Sequence, residues 1–594
     1  MGWTVSQQDQ TRSKRLETLR GAMAAAGFDG WIIGREDMHQ GEEVPAGDER
    51  LGYLSGFTGS AGFAVVLGDR AGLFSDGRYS LQMPAQTNSA EWDCNTIPDV
   101  TCEAWLKTAG LVSGAIIAID GRLVTVSGFR RFEKSVCAAG GMLVCHHENL
   151  LDQQWHDRPA LPLAASWQMP VENAGKSLAE KIDDLAAYLV AKDCAAVLLT
   201  RVDSVNWLAN MRGGDLPFTL VNLCFALYHR ETGLCLFGDQ SRLQPVLTRD
   251  ITVAPLAQLP AMLNDMGDGR LMIEAASLPK MLFEQIAVSG VQTFEADCPL
   301  TTEKARKTQA ELRGFRAAHQ RDGVAMVEFL CWLDQAASAP FASIAESDLV
   351  DKLLAFRQQQ DGFLVPSFNT ISGSGPNGAI VHYRAIAGAD RKLAKDDILL
   401  LDSGGHYRDG TTDITRTIAI GTPPKGAVAA YSHVLQSHIH LAMAKFPAGT
   451  NGKQLDAIAR APLWAVGLDF AHGTGHGVGH VLSVHEGPAS ISKRGEAALE
   501  AGMVLSNEPG YYQTDDWGIR IENLVVVTPA KQTGFLEFET ITLCPLDRRL
   551  IDKTLLDARE IDWIDRYHRA VDEQLHTHLS PMAKSWLEAA CRQL

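Results

Sequence analysis

The chain has 594 residues, more than one ordinary core supports, so roughly two to four domains are expected. Its apolar (46%) and charged (21%) fractions are those of a globular protein, and a net charge of −17 argues against nucleic acid and anionic membranes as main partners, since both require basic patches. Eleven scattered cysteines without a CxxC pair argue against a disulfide framework or a zinc–thiolate site and for a reducing compartment.

The opening MGWTVSQQDQTRSKRL turns polar at once and lacks the apolar core of a secretory signal. Gly2 to Ser6 fits a short myristoylation pattern of a kind that often arises by chance. No stretch is long and apolar enough for a spanning helix, so the cytoplasm is the expected location. A helix is predicted over Thr11–Ala26, followed by strands at Trp31–Ile33, Gly62–Val66 and Gly72–Phe74. Arg158–Pro170, rich in Pro and Ala, reads as a linker. Beyond it come a helix around Leu178–Lys192, the apolar run Ala195–Leu199, and strands at Cys224–Tyr228 and Leu234–Phe237. Alternating helices and strands in both stretches predict two α/β domains of similar design, 1–165 and 166–301.

A third domain is expected over 302–594. It opens with a helix, Lys307–Ala337, in which Leu312, Phe315 and Ala318, then Val324, Val327 and Leu330, recur at helical spacing. Strands are predicted at Ile398–Leu401, Thr415–Ile420, Met503–Ser506 and Leu524–Val527. The helical extension, from about 545 to 594, has Asp557 as one N-cap and Ser580–Pro581 as the start of a last helix.

Four carboxylates in this third domain sit in sequence that looks buried. Asp402 closes the run Ile398–Leu401, and Asp413 follows a glycine turn, so a hairpin would bring them together, with Thr411, Asp413 and Thr415 on one face. Glu508 follows Met503–Ser506. Glu522 lies in Gly518–Val527, where it shares a face with Arg520. Any one of them alone is most simply balanced by an arginine such as Arg416 or Arg520. Four together, beside the histidines 472, 476, 480 and 485 of HGTGHGVGHVLSVHEGP, point instead to bound cations. One imidazole and four carboxylates form a hard, oxygen-rich set that suits manganese, cobalt or zinc. Five ligands exceed what one catalytic zinc takes; two ions sharing carboxylates would use them all and could hold a bridging hydroxide near neutral pH for hydrolysis. Gly373–Gly378 (GSGPNG) fits GxGxxG, but Pro376 and a following strand disfavour a dinucleotide site, and neither HExxH nor GxSxG occurs.

HGTGHGVGHVLSVHEGP, LDSGGHYRDGTTDITRT, SNEPGYY and GIRIEN together resemble the pita-bread metallopeptidases, and most closely their aminopeptidase P (Xaa-Pro aminopeptidase) branch. RLGYLSGFTGSAGFAVV, FSDGRYSLQ and VDSVNWLANMRGGDLPF extend the resemblance upstream, to the long three-domain cytosolic form. The resemblance implies two creatinase-like α/β domains before a pita-bread catalytic domain. It implies two divalent ions per subunit, manganese first with cobalt or zinc as alternatives, held by Asp402, Asp413, His476, Glu508 and Glu522. His382 and His485 would hold the substrate carbonyl and oxyanion, Glu508 would move the proton of the attacking water, and His472 would line the proline side. Arg78 and Arg520 are the further substrate candidates; alone, Arg78 reads as a surface arginine after the Asp76–Gly77 turn. Substrates would be peptides with proline at position 2, cut before the proline, and a homodimer is implied. Prolidase has the same ligands but accepts only dipeptides and is mostly shorter; methionine aminopeptidase lacks two upstream domains. A metal-free binding module or a creatinase-like hydrolase would have lost ligands that are all present here.

Overall fold

The computed structural model describes residues 7–267, 269–338 and 343–594. Residues 1–6, on which the acylation reading and part of the leader reading rest, lie outside that range. The chain forms two compact units: Met1–Gln168 with Leu178–Leu216 and Val221–Leu300, and Met169–Ser177 with Pro217–Leu220 and Thr301–Leu594.

The first unit begins with α1 (Gln7–Ala26) and holds two six-stranded sheets. One comprises β1 (Gly30–Gly34), β2 (Phe63–Leu67), β3 (Ala71–Asp76), β4 (Asp93–Ile97), β5 (Ile116–Asp120) and β6 (Met142–His146). Its spatial order is β4-β3-β2-β1-β5-β6. The other comprises β7 (Ala196–Leu199), β8 (Phe225–His229), β9 (Gly233–Phe237), β10 (Ile251–Ala254), β11 (Leu271–Ile273) and β12 (Thr293–Glu295), in the order β10-β9-β8-β7-β11-β12. Order and strand directions are the same in both. The first two strands pair antiparallel, and the first and fifth pair parallel. Both faces of the first sheet are covered, which is why its strands read as unbroken apolar runs. Trp31, Ile33, Ala64 and Val66 enter one core, and Ile32, Val65, Leu67 and Ile117 the other. The predicted second helix is α2 (Leu178–Ala191).

In the second unit, α3 (Gln309–Ser338) buries Leu312, Phe315, Ala318, Val324, Val327 and Leu330, the positions picked out by helical spacing. The helix α4 (Glu346–Arg357) follows. Three strands, β14 (Ile371–Ser374), β15 (Asp397–Ser403) and β18 (Ile414–Ile420), make one antiparallel sheet in that order. Three shorter ones, β13 (Phe363–Pro366), β16 (Gly405–Tyr407) and β17 (Gly410–Thr411), make another. A six-stranded antiparallel sheet runs β19 (Lys445–Pro447), β26 (Phe535–Thr540), β25 (Asn523–Pro529), β22 (Val504–Asn507), β20 (Gly475–Gly477), β21 (Glu486–Ile491). A hairpin, β23 (Gly510–Gln513) with β24 (Trp517–Arg520), completes the strands of the site. Buried side chains of α5 (Ala427–Ala442), Ile519 and Ile521, and the last helices share one core. Of those, α7 (Ala558–Leu575) follows α6 (Gly452–Trp464) in the chain and precedes α8 (Pro581–Ala590). Asp557 caps α7 by accepting from Arg559 N and Glu560 N, and Glu560 returns a bond to Asp557 N, a complete capping box. Ser580 caps α8.

The extended run predicted from Thr411 through Asp413 to Thr415 is interrupted. Thr411 pairs with His406 in the small sheet, and the ladder with β15 starts only at Ile414. Between them Thr412 is held by Gly405: its N–H donates to Gly405 O (2.8 Å) and its Oγ1 accepts from Gly405 N (3.0 Å).

Candidate metal centre

Three of the four acidic candidates stand where strands stop. Asp413 lies between β17 and β18, Glu508 between β22 and β23, and Glu522 between β24 and β25. At these breaks the backbone bonds sideways: Glu508 N donates to Thr474 O (2.8 Å) and Glu522 N to Thr415 O (3.2 Å). Freed from alternation, each carboxylate can turn toward the same point. Asp402, within β15, faces Thr415 across the ladder. His476 sits in β20 with its N–H on Ser506 Oγ (2.9 Å). A Cβ on the preceding residue, Gly475, would lie 2.0 Å from Ser506 O, so the glycine is what lets β20 lie this close to β22.

Ligand atoms of Asp413, His476 and Glu522 lie within 4.8 Å of one another, the group among the described residues with metal-site spacing. His476 Nε2 is 3.5 Å from Asp413 Oδ2 and 3.6 Å from Glu508 Oε1. Its Nδ1 faces Gly477 O (3.0 Å); donation there fixes the ring and leaves Nε2 for the site. Asp402 reaches the cluster through electrostatics: Asp413 and Glu508 both raise its pKa.

The arginine-balanced alternative meets a simple count of charge. Arg520 Nη2 does bond Asp402 Oδ2 (2.6 Å), but Asp402 Oδ1 is buried with no hydrogen-bond partner. Arg416, the other candidate counter-ion, touches no carboxylate. It bonds the carbonyl oxygens of Thr415, Glu522, Cys544 and Pro545, Asn523 Oδ1 and Tyr567 OH. Four buried or half-buried carboxylates thus share one guanidinium, Arg520, and at most two imidazoles, His476 and His485. Burial first, and then mutual repulsion, raises the pKa of Asp402 to about 6 despite Arg520, and pushes Glu522 well above the carboxylate range. Burial also raises Glu508. The His476 pKa is raised as well, which for an imidazole favours the charged form: burial opposes its charge, but Asp413 and Glu508 outweigh that and hold it at about 9. Excess negative charge, an orphaned carboxylate oxygen and a hard donor set fit divalent cations.

The remaining predicted residues gather around this centre. The His485 ring stands edge-on to His476, centroids 4.2 Å apart. His472 is held neutral, its pKa well below the usual range through burial and then Arg520. Its Nε2 accepts from Tyr512 OH (2.8 Å), and that hydroxyl accepts from Arg520 Nη1 (2.6 Å). His382 lies close enough to act electrostatically on His472. Arg520, expected at the substrate, is buried, and all three of its nitrogens have protein partners: Asp402, Tyr512 and Thr415, with Val381 O beside them. His480 turns away, with Nε2 on Asp409 O (2.8 Å) and its ring against Phe315. Arg78 belongs to the first unit, where it holds Asp76 through two bonds of 2.8 Å.

The sequence placed Thr415 on a face with Asp413 but assigned no role to it, to Ser506 or to Tyr512; the Thr415 hydroxyl donates to Glu522 Oε2 (2.8 Å), Ser506 donates to Glu508 Oε1 (3.3 Å), and Tyr512 accepts from Arg520. Tyr512 lies in SNEPGYY, but nothing local marks it as the partner of Arg520.

Comparisons with known proteins agree along nearly the whole chain. Metallopeptidase family M24 matches residues 313–529, with its C-terminal region at 534–594. The creatinase/prolidase N-terminal domain matches twice, at 15–153 and 157–311. The probable Xaa-Pro aminopeptidase P of Aspergillus niger is 37% identical, over 97% of this chain and 98% of that protein. The probable Xaa-Pro aminopeptidase P of Laccaria bicolor is 36% identical, over 98% and 94%. The crystal structure of X-prolyl aminopeptidase from Caenorhabditis elegans, described as a cytosolic enzyme with a di-nuclear active site, superposes with a TM-score of 0.92 at 34% identity, covering 98% of this chain and all of that one. Xaa-Pro dipeptidase from Bacillus anthracis shares the fold over 62% of this chain (TM-score 0.52, 24% identity).

Proposed function

The chain belongs to metallopeptidase family M24, in its Xaa-Pro aminopeptidase P branch, and on that premise we propose that it removes the N-terminal residue of peptides whose second residue is proline. The observation that carries the reading is the convergence of Asp413, His476 and Glu522 beside Asp402 and Glu508, with too little positive charge to balance them. The expected architecture, two creatinase-like α/β domains followed by a pita-bread domain, holds.

Asp402, Asp413, His476, Glu508 and Glu522 are the proposed holders of two divalent ions, manganese in the cell. When bound, the ions supply a hydroxide near neutral pH and a charge that polarises the scissile carbonyl. Glu508 accepts the proton of the attacking water and returns it to the departing proline nitrogen. His382 and His485 donate to the oxyanion. His472 lines the proline side, with its lone pair held by Tyr512. Arg520 orients Asp402, leaving one oxygen of that carboxylate for a cation. The proline ring lacks an N–H and has a fixed φ, so it is read by pocket shape. Arg78 is a proposed contact of longer substrates. Domain boundaries near 165 and 301, a homodimer and a cytoplasmic location complete the reading. The family matches and the description of the worm enzyme support the boundaries and the location.

An assay of the purified protein titrated with manganese, cobalt and zinc, on Xaa-Pro peptides of graded length, tests this. Arg-Pro-Pro should be cut to arginine and Pro-Pro. Cleavage of dipeptides alone would make the enzyme a prolidase, and no turnover together with no stoichiometric metal by elemental analysis would make it a binding module. Light scattering should give twice the 64.5 kDa chain mass.

A further inference from the structure

The loop that carries His382 is tied down by a carboxylate outside the metal centre. Glu346, the first residue of α4, is fully buried. Its Oε1 accepts from Ser374 N (2.6 Å), Ser374 Oγ (2.9 Å) and Asn377 Nδ2 (3.2 Å). Its Oε2 accepts from Asn377 Nδ2 (2.9 Å), Tyr383 OH (2.8 Å) and Arg391 N (3.1 Å). Its own N–H donates to Arg391 O (3.0 Å). These partners bracket residues 374–391, and Tyr383 is the chain neighbour of His382. The glycine-rich turn GSGPNG, which mimics a phosphate-binding fingerprint, does hold an anion, but the anion is this internal carboxylate.

The far side of the loop rests on the metal centre. Gly378 backs onto Gly518 so closely that a Cβ on Gly518 would lie 1.8 Å from Gly378 O. Val381 O faces Arg520 Nη2 (3.4 Å), the nitrogen that holds Asp402. The segment is therefore clamped between Glu346 and the strand that orients Asp402.

A buried carboxylate is a costly way to hold a turn unless every oxygen lone pair is used. Here every side-chain partner is a donor, and all come from one loop. We propose that Glu346 is a positioning residue: it fixes the 374–391 loop so that His382 meets the carbonyl of the bound peptide. The inference rests on the aminopeptidase reading above.

Glu346→Gln keeps size but replaces an acceptor with an NH2 group facing donors. Its kcat on Arg-Pro-Pro should fall about 10- to 100-fold, with two metal ions still bound. In a His382→Ala background the same change should cost less than about 3-fold; equal losses in both backgrounds would mean that Glu346 supports only the fold, and would overturn the proposal. Tyr383→Phe, which removes one bond, should lower kcat less and likewise only when His382 is present. It serves if E346Q does not accumulate, and an unchanged kcat in Y383F would also count against the idea. Hydrogen exchange supplies an arm independent of turnover. Amides of residues 379–383 should exchange at least about 10-fold faster in E346Q or Y383F, with those of β15 unchanged; unaltered exchange refutes the clamp. Wild-type protein that leaves Arg-Pro-Pro intact defeats the peptidase reading instead, and the exchange measurement still decides whether Glu346 holds the loop.

Discussion

Asp413 has no substitute in the centre. It is 4% exposed, and it stands within bonding range of the imidazole and near Asp402, Glu508 and Glu522, so it raises the pKa of all three carboxylates. Asp413→Asn keeps the shape and removes one negative charge. The expected result is loss of at least about 10³-fold in kcat/KM, or ~4 kcal/mol of transition-state stabilisation. The circular dichroism spectrum should be unchanged and the thermal midpoint of the metal-free protein equal or higher, because the variant relieves repulsion. Turnover retained in D413N, measured with and without added manganese, would remove Asp413 from the mechanism. His568 makes a second residue-level case, of a group kept neutral. Its Nε2 accepts from Leu546 N (3.1 Å), and burial, then Arg416 and Arg548, lower its pKa to about 3. Above pH 6.5 the ring is neutral both folded and unfolded. Between about 6.5 and 3 only the unfolded chain takes the proton, so stability falls with acid by about 1.4 kcal/mol per pH unit. His568→Asn should therefore have a flatter thermal midpoint between pH 6.5 and 5 than the wild type, read by calorimetry; parallel curves would show that His568 is protonated in place.

At the scale of strands and helices, the elements with simple apolar spacing were legible. β1 and β15 contain the predicted runs, and β7 and α3 start one and two residues later than predicted, because burial on a sheet face or helix stripe writes a period into the sequence. The breaks that aim Asp413, Glu508 and Glu522 were not legible. They are set by bonds to Gly405, Thr474 and Thr415, residues that lie elsewhere in the chain or across a sheet, and no local period encodes such partners. The ligand motifs were recognisable as motifs, whereas the choice of His476 among four clustered histidines came from family resemblance; His480, two glycines further on, faces Asp409 instead. Glu346 had no signal at all, since its partners lie at 374–391. The seam between the turn at 375–379 and β24 permits a direct check. Gly518→Ala places a methyl group against a backbone carbonyl, where one side must move, at a cost of about 1–3 kcal/mol. It should lower the thermal midpoint by a few degrees and reduce kcat at 25 °C, with Arg-Pro-Pro as substrate. A variant with wild-type kcat would show that the turn tolerates displacement.

For the whole molecule, the balance of charge predicts a dependence on metal that goes beyond catalysis. Cations that neutralise the cluster bind the folded chain and not the unfolded one, so at 100 times the dissociation constant each site adds about 2.7 kcal/mol. Chelation with EDTA should lower the thermal midpoint and narrow the pH range of stability. Readdition of manganese should restore both, and equal melting curves with and without chelator would argue against resident ions. The fold class followed from alternating helices and strands, and the matching order of the two six-stranded sheets bears out the expectation of two α/β halves of similar design. Arg416 extends this whole-molecule view to the end of the chain. Its side chain bonds Thr415, Glu522 and Asn523 near the metal centre, but the other half of its hydrogen bonds go to Cys544, Pro545 and the Tyr567 hydroxyl, more than a hundred residues downstream. A guanidinium stranded in apolar surroundings is too costly to bury. A chain cut short of Cys544 should therefore leave this guanidinium under-bonded beside Glu522 and fail to retain metal, an outcome that elemental analysis of the truncated protein would check.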